Sequence, residues 1–169
     1  VHAAKLTRKV QRPDLLLFAA LFHDIGKGAR EDHSERGVRL IQPIAERIGF
    51  DSKEIEILKN LILHHLLLSS TATRRDLDDP ATIQSIISVI PDVNTLELLH
   101  ALSIADGEAT GSAGWSDWKA TLVNDLVQRV KRVMAGAEVA QQPEISDEQR
   151  AMAEEGRLRV TVEEHSSGY

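Results

Sequence analysis

The unbroken apolar run Leu15–Phe22 ends directly on His23 and Asp24, and Ile25-Gly26-Lys27-Gly28 follow at once. A helix that is apolar around its whole circumference is expected in the centre of a helical bundle. His23 and Asp24 at its end are then drawn toward the interior with it. Buried imidazole and carboxylate groups are costly unless their charge and hydrogen bonding are compensated. A divalent metal ion supplies that compensation, because neutral imidazole and carboxylate are both good ligands for it. The ordinary alternative is a core histidine and a helix-end aspartate bonded to backbone.

The rest of the chain reads as helices. Val1–Gln11 is amphipathic, with Leu6 and Val10 among Lys5, Arg8 and Lys9, and reads as the end of a helix that begins upstream. Arg12-Pro13-Asp14 is a break, with Asp14 as cap of the helix that reaches Asp24. Asp32 or Ser34 caps a helix running to Ile48 and stopping at Gly49, with a kink expected at Pro43. Asp51 and Ser52 open the next, which continues to His64-His65-Leu66. Residues 67–79 are polar and read as irregular. Asp79-Pro80 starts a helix to Ile90, Asn94 or Thr95 caps one to Asp106 where Gly107 breaks it, and Ser116 caps a last one from Asp117 to Met134. The expected fold is therefore all-α over residues 1–136. Residues 137–156 read as a linker with a short helical signal. The strict alternation from Arg157 to Glu163 is that of a strand, which lacks a partner here and points to a truncated second domain over 157–169.

Further ligand candidates follow from helical spacing. His65 shares a face with Leu58, Leu61 and Ile62, so it points into the core; a lone histidine there is more often a hydrogen-bonded core residue, but it is paired with His64 in a chain that already holds His23-Asp24. Asp106 shares a stripe with Leu99 and Leu102 and needs a partner or a proton. Lys27 cannot coordinate a metal; beside one, it contacts phosphate. Arg74 and Arg75 suit bidentate phosphate binding, or else belong to a solvated loop. His33 by itself reads as a solvated residue at a helix start. His2 and His100 read as structural, His165 carries no assignment, and Trp115 and Trp118 read as packing anchors.

Composition excludes other classes. The chain has 169 residues, no Cys and a formal net charge of −6. Disulfides, thiolate nucleophiles and zinc fingers are ruled out, and the acidic balance lacks the basic footprint of a nucleic-acid-binding surface. No apolar run is long enough to span a bilayer as a helix. A cytoplasmic location is the default expectation.

The set His23-Asp24, His33, His64-His65 and Asp106 resembles the HD-domain superfamily of metal-dependent phosphohydrolases. Phe22–Gly28 looks like its central signature, and His33 with Gly37 like another part of it. The resemblance implies a helical bundle that binds one or two divalent cations (Mn2+ or Mg2+, with Fe and Zn as alternatives) and hydrolyses phosphoesters. His23, Asp24 and Asp106 would hold one ion, and Asp24 would bridge to a second held by His33 and His65, with His64 as a further candidate ligand. The family's usual first histidine is expected upstream of Val1.

The stretches 15–28, 32–34, 65–80, Ala105-Asp106 and Trp115–Lys119 resemble more closely the HD domain of bifunctional PII uridylyltransferase/uridylyl-removing enzymes. That resemblance implies removal of a nucleotidyl group (uridylyl, or adenylyl as in some relatives) from a tyrosine of the signalling protein PII. It also implies a preceding nucleotidyltransferase domain and following ACT domains, the strand at 157–163 fitting the start of the first. Hydrolysis of a free nucleotide, or a non-catalytic helical relay, are the alternatives.

Overall fold

The computed structural model describes residues 2–28, 30–111, 114–137 and 151. The described residues form α1 (His2–Thr7), α2 (Pro13–Phe22), α3 (His33–Ile48), α4 (Ser52–Leu63), α5 (Leu67–Arg74), α6 (Pro80–Ile87), α7 (Val93–Ala109) and α8 (Asp117–Met134). No strand occurs among them, so the all-α expectation holds. No helix among them is long and apolar enough to cross a membrane. The expected linker, strand and second-domain start lie outside the described residues, apart from Ala137 and Ala151.

The central helix is α7, not α2. Leu96, Leu98, Leu99, Ala101, Leu102 and Ile104 of α7 are all buried, and α7 packs against α1, α2, α4, α5 and α8. The expectation of an all-round buried α2 fails: Leu15, Leu16 and Ala19 are buried, but Leu17 is 65% and Leu21 74% exposed. An apolar circumference permits burial on every side; it does not supply neighbours, and among the described helices α2 packs mainly on α4 and α7.

Several boundaries differ from expectation for local reasons. Asp14 does not cap α2; Pro13 occupies its first turn, and the Asp14 carboxylate accepts from the Arg12 guanidinium, which also reaches Glu54 at 2.6 Å. That pair of contacts ties the start of α2 to the start of α4. Asp51 caps α4 in a reciprocal box with Glu54, and Asp32 caps α3, which runs through Pro43 as one element to the left-handed Gly49. Asp92, rather than Asn94 or Thr95, caps α7 by accepting from the Thr95 N–H. Gly107 does not break α7, which continues to Ala109; a Cβ there would lie 2.3 Å from the Trp115 indole, so the glycine is a packing site. α6 stops at Ile87, short of Ile90.

The largest correction is α5, in a stretch expected to be irregular. Leu68, Thr71 and Ala72 are buried on one face, against α7 and α8. The Ser69, Ser70 and Thr73 hydroxyls donate to carbonyls three or four residues back, at 2.8–3.1 Å. Tertiary burial outweighs the weak helix propensity of Ser and Thr.

Candidate metal centre

Three chain segments meet where α2 ends. His23 caps α2, its N–H bonded to the Ala19 carbonyl at 2.7 Å, and the following turn closes through Ile25 N–H to Phe22 O and Lys27 N–H to Asp24 O, both 3.0 Å. Gly26 lets α3 approach this turn: a Cβ at residue 26 would lie 1.9 Å from the His33 carbonyl oxygen. Gly37 does the same between α3 and α4, where a Cβ would lie 2.7 Å from Ile62 Cγ2. These two contacts set His33 opposite Asp24. His65 is not on α4, as expected, but in the turn between α4 and α5; it is still 2% exposed. Asp106 enters from α7.

Asp24 lies at the junction. Its Oδ1 is 3.8 Å from His65 Nε2 and 4.0 Å from His33 Nε2, and those two nitrogens are 3.3 Å apart. Its Oδ2 is 3.3 Å from His23 Nε2, which is itself 3.3 Å from Asp106 Oδ1. One carboxylate thus faces two donor sets with its two oxygens.

The donor chemistry fits a cation. His23 Nδ1 sits 2.9 Å from the Ala20 carbonyl and His65 Nδ1 2.7 Å from the Ile62 carbonyl. A carbonyl can only accept, so in the neutral ring the proton is on Nδ1 and the Nε2 lone pair faces the centre. The point equidistant from Asp24 Oδ1, His33 Nε2 and His65 Nε2, whose separations are 4.0, 3.8 and 3.3 Å, lies about 2.2 Å from each. That is close to the bond lengths of a first-row divalent ion to nitrogen and oxygen. These three residues form a group whose ligand atoms all lie within 4.8 Å of one another.

Electrostatics favours ligand-ready protonation states. Burial pushes the Asp24 carboxyl up, but the hydrogen bond from Lys27 and the charges of His23, Lys27 and His65 outweigh it, and the net shift is downward. Burial holds His65 below the usual imidazole value; the Ile62 carbonyl opposes this. Lys27, 2.6 Å from Asp24 Oδ2, is raised by that bond and remains a cation at the rim.

Of the sequence candidates, His23, Asp24, His33, His65, Asp106 and Lys27 come together. His64 does not join the candidate ligand group of Asp24, His33 and His65; it caps α4, half-buried, and burial lowers its pKa. Arg74 lines a groove of about 450 Å3 that Asp106 also lines. Arg75 caps α5, exposed, and is not among the groove's lining residues. Sequence reasoning missed Lys119 as a site residue and read Trp115 only as a packing anchor, yet both line this groove. Their signal was the Trp115–Lys119 stretch next to a helix cap.

An HD-domain profile matches residues 1–108. The chain belongs to the HD-domain family. The chain is 53% identical over 160 residues to a bifunctional uridylyltransferase/uridylyl-removing enzyme of Streptomyces coelicolor, covering 95% of this chain and 19% of that protein. It is 47% identical over 163 residues to the enzyme of the same description from Mycobacterium tuberculosis, covering 96% of this chain and 20% of that one. With the Gluconobacter oxydans enzyme the identity is 46% over 121 residues, or 72% of this chain and 13% of that protein. The chain spans about a fifth of the length of these first two relatives. No solved structure matches it.

Proposed function

We propose that this HD domain hydrolyses a phosphodiester and, within a longer bifunctional protein, removes a uridylyl group from a tyrosine of PII. The observation that carries the reading is Asp24, whose two oxygens face His33 with His65 on one side and His23 with Asp106 on the other. The names of the relatives supply the uridylyl-removing activity. Preceding nucleotidyltransferase and following ACT domains, and a cytoplasmic setting, belong to the same proposal.

His33, His65 and Asp24 would hold one divalent cation, Mn2+ or Mg2+ by preference, and His23, Asp106 and Asp24 a second. Such a cation, when bound, polarises phosphoryl oxygens and acidifies water. The residues do the rest. The carbonyls of Ala20 and Ile62 fix the rings of His23 and His65 so that their Nε2 lone pairs converge. Lys27 keeps Asp24 ionised and offers its remaining N–H donors to a phosphate. Arg74 would add a guanidinium that offsets negative charge on the phosphoryl oxygens.

The test is incubation of uridylylated PII with the intact protein and identification of the monophosphate released. Asp24→Ala is expected to abolish release while sparing attachment by the transferase part. Unchanged release would refute the assignment.

A further inference from the structure

The groove beside the metal centre has a two-part chemistry that the metal ligands do not use. It runs between α5, the end of α7 and the start of α8, with Asp106 at one end. Ser69, Ser70, Thr73 and Thr110, four hydroxyl-bearing residues, line it. Each hydroxyl has already donated its one proton to a carbonyl: Leu66, Leu67, Ser69 and Gly107 respectively, at 2.7–3.1 Å. A hydroxyl with its proton committed can only accept. This wall is therefore rich in acceptors and suits a ligand carrying O–H and N–H donors.

The cationic part is separate. Arg74 and Lys119 line the same groove. Lys119 Nζ donates to the Gly114 carbonyl at 2.7 Å, which anchors the ammonium and leaves two donors free. Trp115 is seated against Gly107, one residue after Asp106, so the groove wall and the metal centre share a rigid edge. A volume of about 450 Å3 lies within the range of small-molecule sites.

We infer that this groove is the binding subsite for a nucleoside 5′-phosphate: Lys119 and Arg74 take the phosphate, and the hydroxyl-lined wall of α5 takes the ribose hydroxyls and base N–H. The inference rests on the phosphodiesterase reading for its biological meaning, but not for its test. The groove's donors and acceptors are in place without a cation, so binding is measured in EDTA.

The experiment is calorimetric titration of the protein with uridine 5′-monophosphate, inorganic phosphate and uridine in EDTA. The monophosphate is expected to saturate and to bind at least roughly tenfold more tightly than phosphate or uridine alone, because it engages both walls. Lys119→Ala and Arg74→Ala should each weaken it by roughly tenfold, and Lys119→Arg should restore most of the loss. Thr73→Val, which removes an acceptor but keeps the shape, should weaken the monophosphate and uridine while leaving phosphate unchanged. Circular dichroism of each variant separates misfolding from lost contacts. Equal affinity for phosphate and the monophosphate, no saturable binding by the wild-type protein, or indifference to Lys119→Ala in a folded variant would overturn the subsite. Failure of the hydrolase reading would instead show as binding in EDTA with no monophosphate released from uridylylated PII by the intact protein when cations are restored.

Discussion

His23 Nε2 lies 3.3 Å from Asp106 Oδ1, joining the end of α2 to the interior of α7. The imidazole's other nitrogen is held by the Ala20 carbonyl, so the ring cannot turn away without losing a hydrogen bond. This contact makes the centre a property of the packed helices rather than of the HD turn alone. It also means that damage to the α2–α7 interface should be read out at the ligands.

Asp24→Asn keeps shape and removes the charge that faces both donor sets. The variant is expected to stay folded and to lose roughly tenfold or more in Mn2+ affinity, since Asp24 is the carboxylate shared by the two proposed ligand sets. Titration with Mn2+ followed by paramagnetic resonance measures this directly. Affinity equal to wild type would remove Asp24 from the ligand set.

Gly26→Ala places a methyl where the His33 carbonyl oxygen stands, a fixed backbone group that cannot move aside cheaply. The expected cost is about 2–4 kcal/mol of stability. His33 should also be pushed away from Asp24. Denaturant unfolding gives the first quantity. A variant as stable as wild type would show that α3 does not rest on the turn.

Gly107→Ala meets the Trp115 indole rather than backbone, so the ring can swing out. A smaller loss is expected, about 1–3 kcal/mol. Indole emission should shift to the red as Trp115 gains solvent. Because Trp118 is already 63% exposed, the comparison is best made in a Trp118→Phe background. An unmoved spectrum would contradict the seating.

His100 on α7 is 5% exposed, and burial, reinforced by Lys131 and opposed by Glu97, lowers its pKa to about 4. In the unfolded chain the ring takes up a proton near pH 6.5. Between those values the unfolded state binds more protons, so stability is complete above pH 6.5 and falls as pH drops toward 4. The loss approaches about 3 kcal/mol at the low end. Urea unfolding at several pH values should show this slope. His100→Leu should flatten it by about that amount; an unchanged slope would assign the acid sensitivity to other groups.

The helices were largely legible because their punctuation is local. Asp32 with Gly49, Asp51 with Glu54, Asp79 with Pro80, and Ser116 each act on backbone groups within a few residues, so sequence order alone determines them. The ligand candidates were legible for a related reason: a histidine or aspartate on an apolar stripe conflicts with its surroundings wherever the stripe packs. His23, Asp24, His65 and Asp106 all announced themselves in this way, whereas His33 was conspicuous only through resemblance.

What tertiary structure alone decided is which faces found neighbours. Leu17 and Leu21 are as apolar as Leu15 and Leu16, yet only the latter pair is buried. Residues 67–74 became a helix because Leu68, Thr71 and Ala72 could be buried, against their local propensity. Gly107 was read as a breaker and is a seat for Trp115. His64 and His65 adjoin in the chain, but His65 lies 3.8 Å from Asp24, whereas His64 is the half-buried cap of α4. Local sequence determines hydrogen bonds between near neighbours; which distant side chains meet depends on how close the backbones can come, and Gly26 and Gly37 settled that by having no side chain to keep α3 away.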